Sequence, residues 1–230
     1  MGSRNRVASC FALLFSLVLV SITVSANAQA ENTQGAGSKE LLRAASSGNV
    51  SVVTELLTQG VDPDSHSTDR YARTALILAA AGGHTESARA LLDKGAGLEL
   101  RDNAGLTALN WAALRGHRPV AELLLARGAD VTTRSKGDVT PLLYAVGTGN
   151  VALIDLFATN GADLDAQSLE SSMTPLLLAI EGGDTRSVQR LVDLGADINK
   201  PNSDGLLPLN AASKTGKAVI IEILVDAGAR

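Results

Sequence analysis

Apolar and polar positions alternate along the chain in blocks that return about every 33 residues from Lys39 onward. Each block holds two short, mainly apolar stretches, such as Ala75–Ala80 and then Ala88–Leu92, separated by one or two glycines and a few polar residues. Apolar stretches with helical spacing and turn residues at both ends are typical of short α-helices. The pattern therefore predicts an all-α chain of antiparallel helix pairs joined by protruding turns.

Two series of glycines define the period. The first series is Gly48, Gly83, Gly116, Gly149, Gly183 and Gly216, and the second is Gly60, Gly95, Gly128, Gly161, Gly195 and Gly228. Both series have the spacings 35, 33, 33, 34 and 33. A period of about 33 residues predicts a helical solenoid, in which stacked repeats share one continuous core. Because both series contain the same two longer intervals, the inserted residues are predicted to lie between repeats.

Helix starts and ends are predicted from the residues beside these glycines. Threonine is a good N-cap and proline is tolerated at the first helical position, whereas glycine favours the left-handed conformation after a helix. The threonines are Thr74, Thr107, Thr140 and Thr174, and the prolines are Pro141, Pro175 and Pro208. Paired alanines in the first helix of each pair, such as Ala112 and Ala113, allow neighbouring helices to approach closely.

These segments resemble the ankyrin repeat over Lys39–Arg230. The markers are Thr74–Ala80, Thr107–Ala113, Thr140–Val146, Thr174–Ile180 and Leu207–Ala212, each followed by a glycine and a stretch like Val120–Asp130. The resemblance implies an ankyrin-repeat solenoid of about six helix-turn-helix repeats, at 39–68, 69–101, 102–134, 135–167, 168–200 and 201–230. It also implies a protein–protein interaction module without catalysis of its own, which binds a partner on its concave face.

One position departs from the ankyrin pattern. The family's Thr-Pro-Leu-His segment has a histidine that this chain lacks, and the corresponding residues are Ile77, Asn110, Leu143, Leu177 and Asn210. Without the histidine, its capping hydrogen bonds are lost. The sequence therefore predicts looser turns at some of these helix starts.

The first thirty residues have the features of a secretory signal peptide. Arg4 and Arg6 precede the mainly apolar run 7–24, which contains no charged residue, and no acidic residue occurs before Glu31. Small residues favour cleavage after Ala28 or Ala30. The alternative is an uncleaved membrane anchor, since 18 apolar residues are near the lower limit for a span. We expect 1–30 to be a signal peptide, 31–38 to be a flexible leader, and the protein to be exported, with the periplasm as its compartment.

Charge and cysteine content restrict the function. Twenty basic and 24 acidic residues give a formal net charge of −4, which argues against nucleic-acid binding. Cys10 is the only cysteine, so the chain cannot form an internal disulfide. His84 and His117 each follow a glycine in the same register and are interpreted as structural. The Asp62–Asp69 loop resembles a metal loop only faintly, and we interpret it as a lengthened turn. We expect no cofactor and no metal.

The predicted partner site lies on the first helices and the turns of the central repeats. It comprises Tyr71, Arg73, Trp111, Leu114, Arg115, Tyr144, Met173 and Glu181. Tryptophan, tyrosine and arginine dominate the energetics of protein interfaces. The alternative is that Trp111 and Tyr144, which are 33 residues apart, only pack between adjacent repeats.

The identity of the partner remains open. The chain resembles exported bacterial ankyrin-repeat proteins, which include partners that support a periplasmic catalase and immunity proteins that occlude toxic effectors. An enzymatic or metal-binding module is the remaining alternative. The last apolar stretch, Val219–Val225, also predicts weak self-association or a partner contact, because an exposed apolar patch commonly marks a contact site.

Overall fold

The computed structural model describes residues 35–168 and 172–230. The predicted signal peptide, its cleavage sites and most of the predicted leader lie outside these residues. The described chain contains twelve α-helices in six pairs, and its only β-type pairing is an isolated bridge between His66 and Thr74. The helices are α1 Ala36–Ser47, α2 Val50–Thr58, α3 Ala75–Gly82, α4 Thr85–Asp93, α5 Ala108–Arg115, α6 Arg118–Ala126, α7 Pro141–Gly147, α8 Val151–Thr159, α9 Pro175–Gly182, α10 Thr185–Asp193, α11 Pro208–Thr215 and α12 Ala218–Asp226.

The first helix begins earlier than the repeat pattern predicts. Helix α1 starts at Ala36. The prediction that the flexible leader extends to Ser38 is therefore wrong for Ala36–Ser38, which are helical. Its N-cap, Gly35, forms no side-chain capping hydrogen bond. Instead, the carbonyl oxygen of Gly35 accepts hydrogen bonds from the backbone N–H groups of Ser38 and Lys39, at 3.0 and 3.4 Å.

The threonines cap the first helices as predicted. The hydroxyl oxygens of Thr74, Thr107, Thr140 and Thr174 accept hydrogen bonds from the backbone N–H three residues later. Pro141, Pro175 and Pro208 are the first residues of their helices. The prediction that capping hydrogen bonds are lost where the family's histidine is absent is wrong for repeat three. There the side chain of Asn110 accepts a hydrogen bond from the backbone N–H of Thr107 at 3.0 Å and completes a capping box.

The helices stack in two parallel rows. The first helices α1, α3, α5, α7, α9 and α11 form one row, and the second helices form the other. The first row is packed more tightly, because buried alanines such as Ala79, Ala112 and Ala179 face the neighbouring helix. Phe157 and the buried leucines fill the space between the rows. The first helices are therefore packed more closely than the second helices, and a stack of repeats with this asymmetry is expected to curve toward the first helices and their turns.

Polar side chains also connect one repeat to the next. The ring nitrogen Nε2 of His84 lies 3.0 Å from the carbonyl oxygen of Ser46, and that of His117 lies 3.2 Å from that of Ala81. These contacts agree with the structural role predicted for both histidines. In repeat six, Lys217 occupies the same register and donates from Nζ to the carbonyl oxygen of Gly183 at 2.7 Å.

The outer side of α12 leaves apolar side chains in solvent. Val219 and Val225 are 55% and 53% exposed, whereas Ile220 and Leu224 are buried. A shallow groove runs between α10 and α12 and is lined by Gln189, Val192, Val219, Glu222, Ile223, Asp226 and Ala227.

None of the helices within residues 35–168 and 172–230 is both long and apolar enough to cross a membrane.

Candidate functional site

The turn before α3 is organised by one carboxylate. Asp69 Oδ1 accepts hydrogen bonds from the backbone N–H groups of Tyr71 and Ala72, at 2.8 and 3.1 Å, and from the hydroxyl of Ser67 at 2.8 Å. Ala72 has a φ of 49°, in the left-handed region that alanine rarely occupies. Strained backbone of this kind persists only where the surrounding contacts hold it. The turn thereby fixes the two residues on either side of Ala72, which are Tyr71 and Arg73.

Trp111 lies on α5 and is buried, with 4% of its surface exposed. Its indole N–H donates to Asp102 Oδ2 at 2.9 Å. The other carboxylate oxygen of Asp102 accepts from the backbone N–H groups of Ala104 and Leu106, at 2.9 and 3.0 Å. One buried carboxylate therefore holds both the turn before α5 and the plane of the indole ring.

Three arginines surround two aromatic rings at this position. The guanidinium carbons of Arg70 and Arg73 lie 4.8 and 4.9 Å from the ring centroid of Tyr71. Those of Arg73 and Arg115 each lie 5.7 Å from the ring centroid of Trp111. These distances are within the range of cation–π attraction. We call Arg70, Tyr71, Arg73, Trp111 and Arg115 the arginine–aromatic cluster.

The positive charges of the cluster are poorly compensated. Arg73 Nη2 lies 3.8 Å from Asp69 Oδ2, and Arg115 has no hydrogen bond or ion pair with any residue that the structure describes. The Nε atoms of Arg73 and Arg115 are both buried without a hydrogen-bond partner. Burial, and then the charge of Arg73, lower the pKa of Arg115, although a guanidinium remains protonated at neutral pH. The cluster therefore presents two guanidinium groups beside one indole ring, and the long Arg73–Asp69 ion pair is the compensation that the described residues give them.

The structure brings together four of the eight predicted site residues: Tyr71, Arg73, Trp111 and Arg115. Trp111 and Met173 were predicted on the binding surface, but both are core residues, with 4% and 2% exposed. The indole of Trp111 is directed to Asp102, and Met173 lies directly before Thr174, the N-cap of α9. Leu114 and Tyr144 are half-buried on the adjacent helices α5 and α7, where Tyr144 occupies the repeat position that Trp111 has in α5.

Glu181 lies farther along the same row, on α9. Burial raises the pKa of its carboxyl group, and the charge of Lys214 on α11 lowers it by a smaller amount. Glu181 therefore contributes a partly desolvated carboxylate to the first-helix row, two repeats beyond α5.

The Asp62–Asp69 loop is a lengthened turn. Asp62 accepts from the backbone N–H of Asp64 at 2.9 Å, and Asp64 accepts from the N–H of Gly97 in the next repeat at 2.8 Å. Its carboxylates are therefore engaged with backbone donors. Among the described residues, no group of three or more His, Cys, Asp or Glu side chains could hold a metal ion.

Three residues of the site were missed by sequence reasoning. They are Arg70, Ala72 and Asp102, which the sequence pattern did not single out as site residues. The two-residue insertion between Gly48 and Gly83 was the available signal, because the cluster lies beside this lengthened turn. The carboxylate–indole bond joins residues nine positions apart, and no sequence pattern indicates it.

The chain belongs to the ankyrin-repeat family. The family model described as ankyrin repeats (3 copies) matches residues 41–135 and 142–230. Ankyrin repeats are protein–protein interaction modules, and the all-α solenoid predicted from the glycine period is confirmed. No curated protein sequence matches the chain significantly.

Solved structures of two ankyrin-repeat domains are similar to this chain. The ankyrin repeat domain of Bcl-3, a member of the IkappaB protein family, superimposes with a TM-score of 0.79 at 28% identity, over 87% of this chain and 89% of that one. The human ASB11 ankyrin repeat domain gives a TM-score of 0.74 at 27% identity, over 83% and 84% of the two chains.

Proposed function

We propose that this protein is an exported ankyrin-repeat adaptor that binds a protein partner across its concave face and performs no catalysis itself. The observation that carries the proposal is the arginine–aromatic cluster, where Arg73 and Arg115 approach one indole ring without full charge compensation. Tyrosine, tryptophan and arginine are the residues that dominate binding energy at protein interfaces. Leu114, Tyr144 and Glu181 extend the face along the first-helix row.

Site-specific photo-cross-linking in the native cells tests the binding face. A photoreactive amino acid is introduced at Leu114 or Glu181 on the first helices, and at Glu55 or Glu122 on the second helices as matched controls. All four side chains are at least partly exposed, so the substitutions leave the core intact. We expect one protein to be captured from Leu114 and Glu181 and not from Glu55 or Glu122. Capture from the second helices alone, or from neither face, would contradict the proposal.

Export is the second part of the proposal, and it rests on the arginines, the apolar run and the small residues before Gln29 and Glu31. We expect the mature protein to begin at Gln29 or Glu31 and to be recovered in the periplasmic fraction. Intact-mass measurement of the protein from fractionated cells is the test. A full-length protein retained in the membrane fraction would support the anchor alternative instead.

We also propose a weak contact between copies of the chain through α12. Its support is the exposure of Val219 and Val225 beside the groove between α10 and α12. Light scattering across a concentration series is expected to show reversible association that Val219→Glu abolishes. A wild-type protein that remains monomeric at the highest concentration would contradict this contact.

A further inference from the structure

We propose that the arginine–aromatic cluster is a carboxylate-recognition site, which binds an acidic segment of the protein partner through the guanidinium groups of Arg73 and Arg115. The proposal rests on the proposed function, since it names the chemistry of the segment that docks on the concave face. It assigns binding to the arginines and a positioning role to Trp111.

The charge arrangement favours an incoming anion. Arg73 and Arg115 lie on different repeats, yet both guanidinium carbons are 5.7 Å from the centroid of the same indole ring. Two cations held together in a partly desolvated place repel one another, and that repulsion contributes to the lowered pKa of Arg115. A carboxylate bound at both groups would relieve the repulsion and form charge-assisted hydrogen bonds.

The two carboxylates beside the cluster, among the residues that the structure describes, make their hydrogen bonds with other groups. Asp102 binds the indole N–H and two backbone N–H groups. Asp69 uses Oδ1 for three hydrogen bonds within its turn, and its Oδ2 forms only a long ion pair, 3.8 Å, with Arg73. The exposed arginines Arg89 and Arg118 on the second helices have closer carboxylates, at 3.3 and 2.7 Å. The cluster thus differs from an ordinary solvated ion pair.

The cluster is also held in a fixed geometry. Trp111 is locked by its hydrogen bond to Asp102, and the left-handed Ala72 fixes the backbone between Tyr71 and Arg73. A preorganised pair of guanidinium groups loses little conformational entropy when it binds a planar carboxylate. A glutamate- or aspartate-rich segment fits this chemistry, whereas the acidic net charge of the chain disfavours nucleic acid.

Intrinsic fluorescence provides a direct test, because Trp111 is the only tryptophan in the chain. The protein is titrated with a capped hexapeptide of glutamates, with the hexapeptide of glutamines and with inorganic phosphate. We expect a saturable change in emission with the glutamate peptide, with a Kd below about 1 mM, and no saturable change with the glutamine peptide. Phosphate that binds as tightly as the glutamate peptide would overturn the assignment to a carboxylate.

Matched variants assign the binding to the two arginines. Arg73→Gln and Arg115→Gln are each expected to weaken the glutamate peptide at least 10-fold, and the control Arg89→Gln, on the second helix α4, to leave it within 2-fold. Arg115→Lys keeps the charge and the packing but loses the planar fork, so we expect at least a 3-fold loss. It serves as the deciding variant if Arg115→Gln lowers the melting temperature. Unchanged binding by a folded Arg115 variant would overturn the proposal.

The outcome is distinguishable from failure of the proposed function. If the partner captured by cross-linking at Leu114 binds wild type and Arg115→Gln equally, the concave face binds a protein but the carboxylate assignment is wrong. If the peptide binds as expected and no protein is captured from the concave face, the site recognises carboxylates but the adaptor function is wrong.

Discussion

A comparison of repeat three with repeat six separates the contacts that the ankyrin fold requires from those that it does not require. Corresponding residues of the two repeats lie one hundred positions apart. Both repeats begin with the same turn. Asp102 and Asn202 are almost equally buried, and each accepts two backbone N–H groups of its turn through a side-chain oxygen. Gly105 and Gly205 then take left-handed φ values of 78° and 76°. The turn is therefore common to both repeats.

The two repeats differ in every other polar contact of the first helix. Repeat three has a capping box of Thr107 and Asn110, whereas Leu207 gives α11 no side-chain cap and Asn210 is exposed. The position of Trp111 is occupied in repeat six by Ala211, which has no aromatic ring for a cation–π contact with an arginine. The frame thus folds without these additions. We infer that the additional contacts of repeat three serve the arginine–aromatic cluster and not the solenoid itself.

The largest expected difference between the two repeats concerns the turn side chains. Asp102→Ala removes the acceptor of the Trp111 indole and of two backbone N–H groups, and we expect the free energy of unfolding to fall by about 3 kcal/mol. Asn202→Ala removes only the two backbone bonds, so about 1–2 kcal/mol is expected. Urea denaturation followed by circular dichroism measures both losses. Equal losses would show that the carboxylate–indole bond contributes nothing.

The turn glycines should also separate the repeats. A Cβ on Gly105 would lie 2.8 Å from the backbone nitrogen of Lys136 in the next repeat, whereas a Cβ on Gly205 would meet nothing within 4 Å. Gly205→Ala is therefore expected to cost about 1 kcal/mol, from left-handed strain alone. For Gly105→Ala we expect about 2 kcal/mol or more, since the clash adds to the strain. The comparison fails if the two substitutions shift the denaturation midpoint equally.

Restoring the missing cap should stabilise repeat six slightly. Leu207→Thr supplies a hydroxyl acceptor at the start of α11, which is worth about 1 kcal/mol, but removes part of a half-buried apolar side chain. We expect a net gain of about 0.5 kcal/mol. The reverse change in repeat three, Thr107→Ala, is expected to cost about 1 kcal/mol. Thermal denaturation of both variants is the measurement, and a destabilised Leu207→Thr would show that apolar packing dominates here.

The smallest expected effect is a pH dependence of the free energy of unfolding that comes from His117. Burial lowers the pKa of His117, the hydrogen bond with Ala81 raises it, and the charges of Arg115 and His84 lower it further, with a net shift below the usual value. In the unfolded chain this histidine takes up a proton as the pH falls through about 6.5, whereas in the folded chain it does so only at lower pH. Stability is fully present above that pH and falls as pH decreases through the window below it.

Denaturation at pH 7 and pH 5.5 tests this effect. We expect a small loss of stability in the wild type and a smaller loss in His117→Gln. The matched control is Lys217→Gln at the same position of repeat six, which removes no histidine and is expected to leave the pH dependence unaltered. An identical slope for wild type and His117→Gln would show that the histidine makes no contribution.

The start of each first helix illustrates how far local sequence reaches. The threonine caps were predictable because each cap accepts a hydrogen bond from a backbone N–H only three residues later. The prolines were predictable because the first helical residue needs no N–H for a hydrogen bond within the helix. The capping box of Asn110 was not predicted. The family pattern pointed to a missing histidine, whereas an asparagine at the same position supplies an equivalent acceptor to Thr107.

The sequence by itself determined the period and the ends of most helices, because these depend on backbone sterics and on spacing along the chain. Only the tertiary structure decided the environment of each side chain on the first helices and their turns. Met173 and Trp111 became core residues, and Arg73 and Arg115 converged on one ring, because neighbouring repeats supply most of what these side chains touch. Contacts between repeats depend on curvature and on rotamers, which a one-dimensional period does not specify.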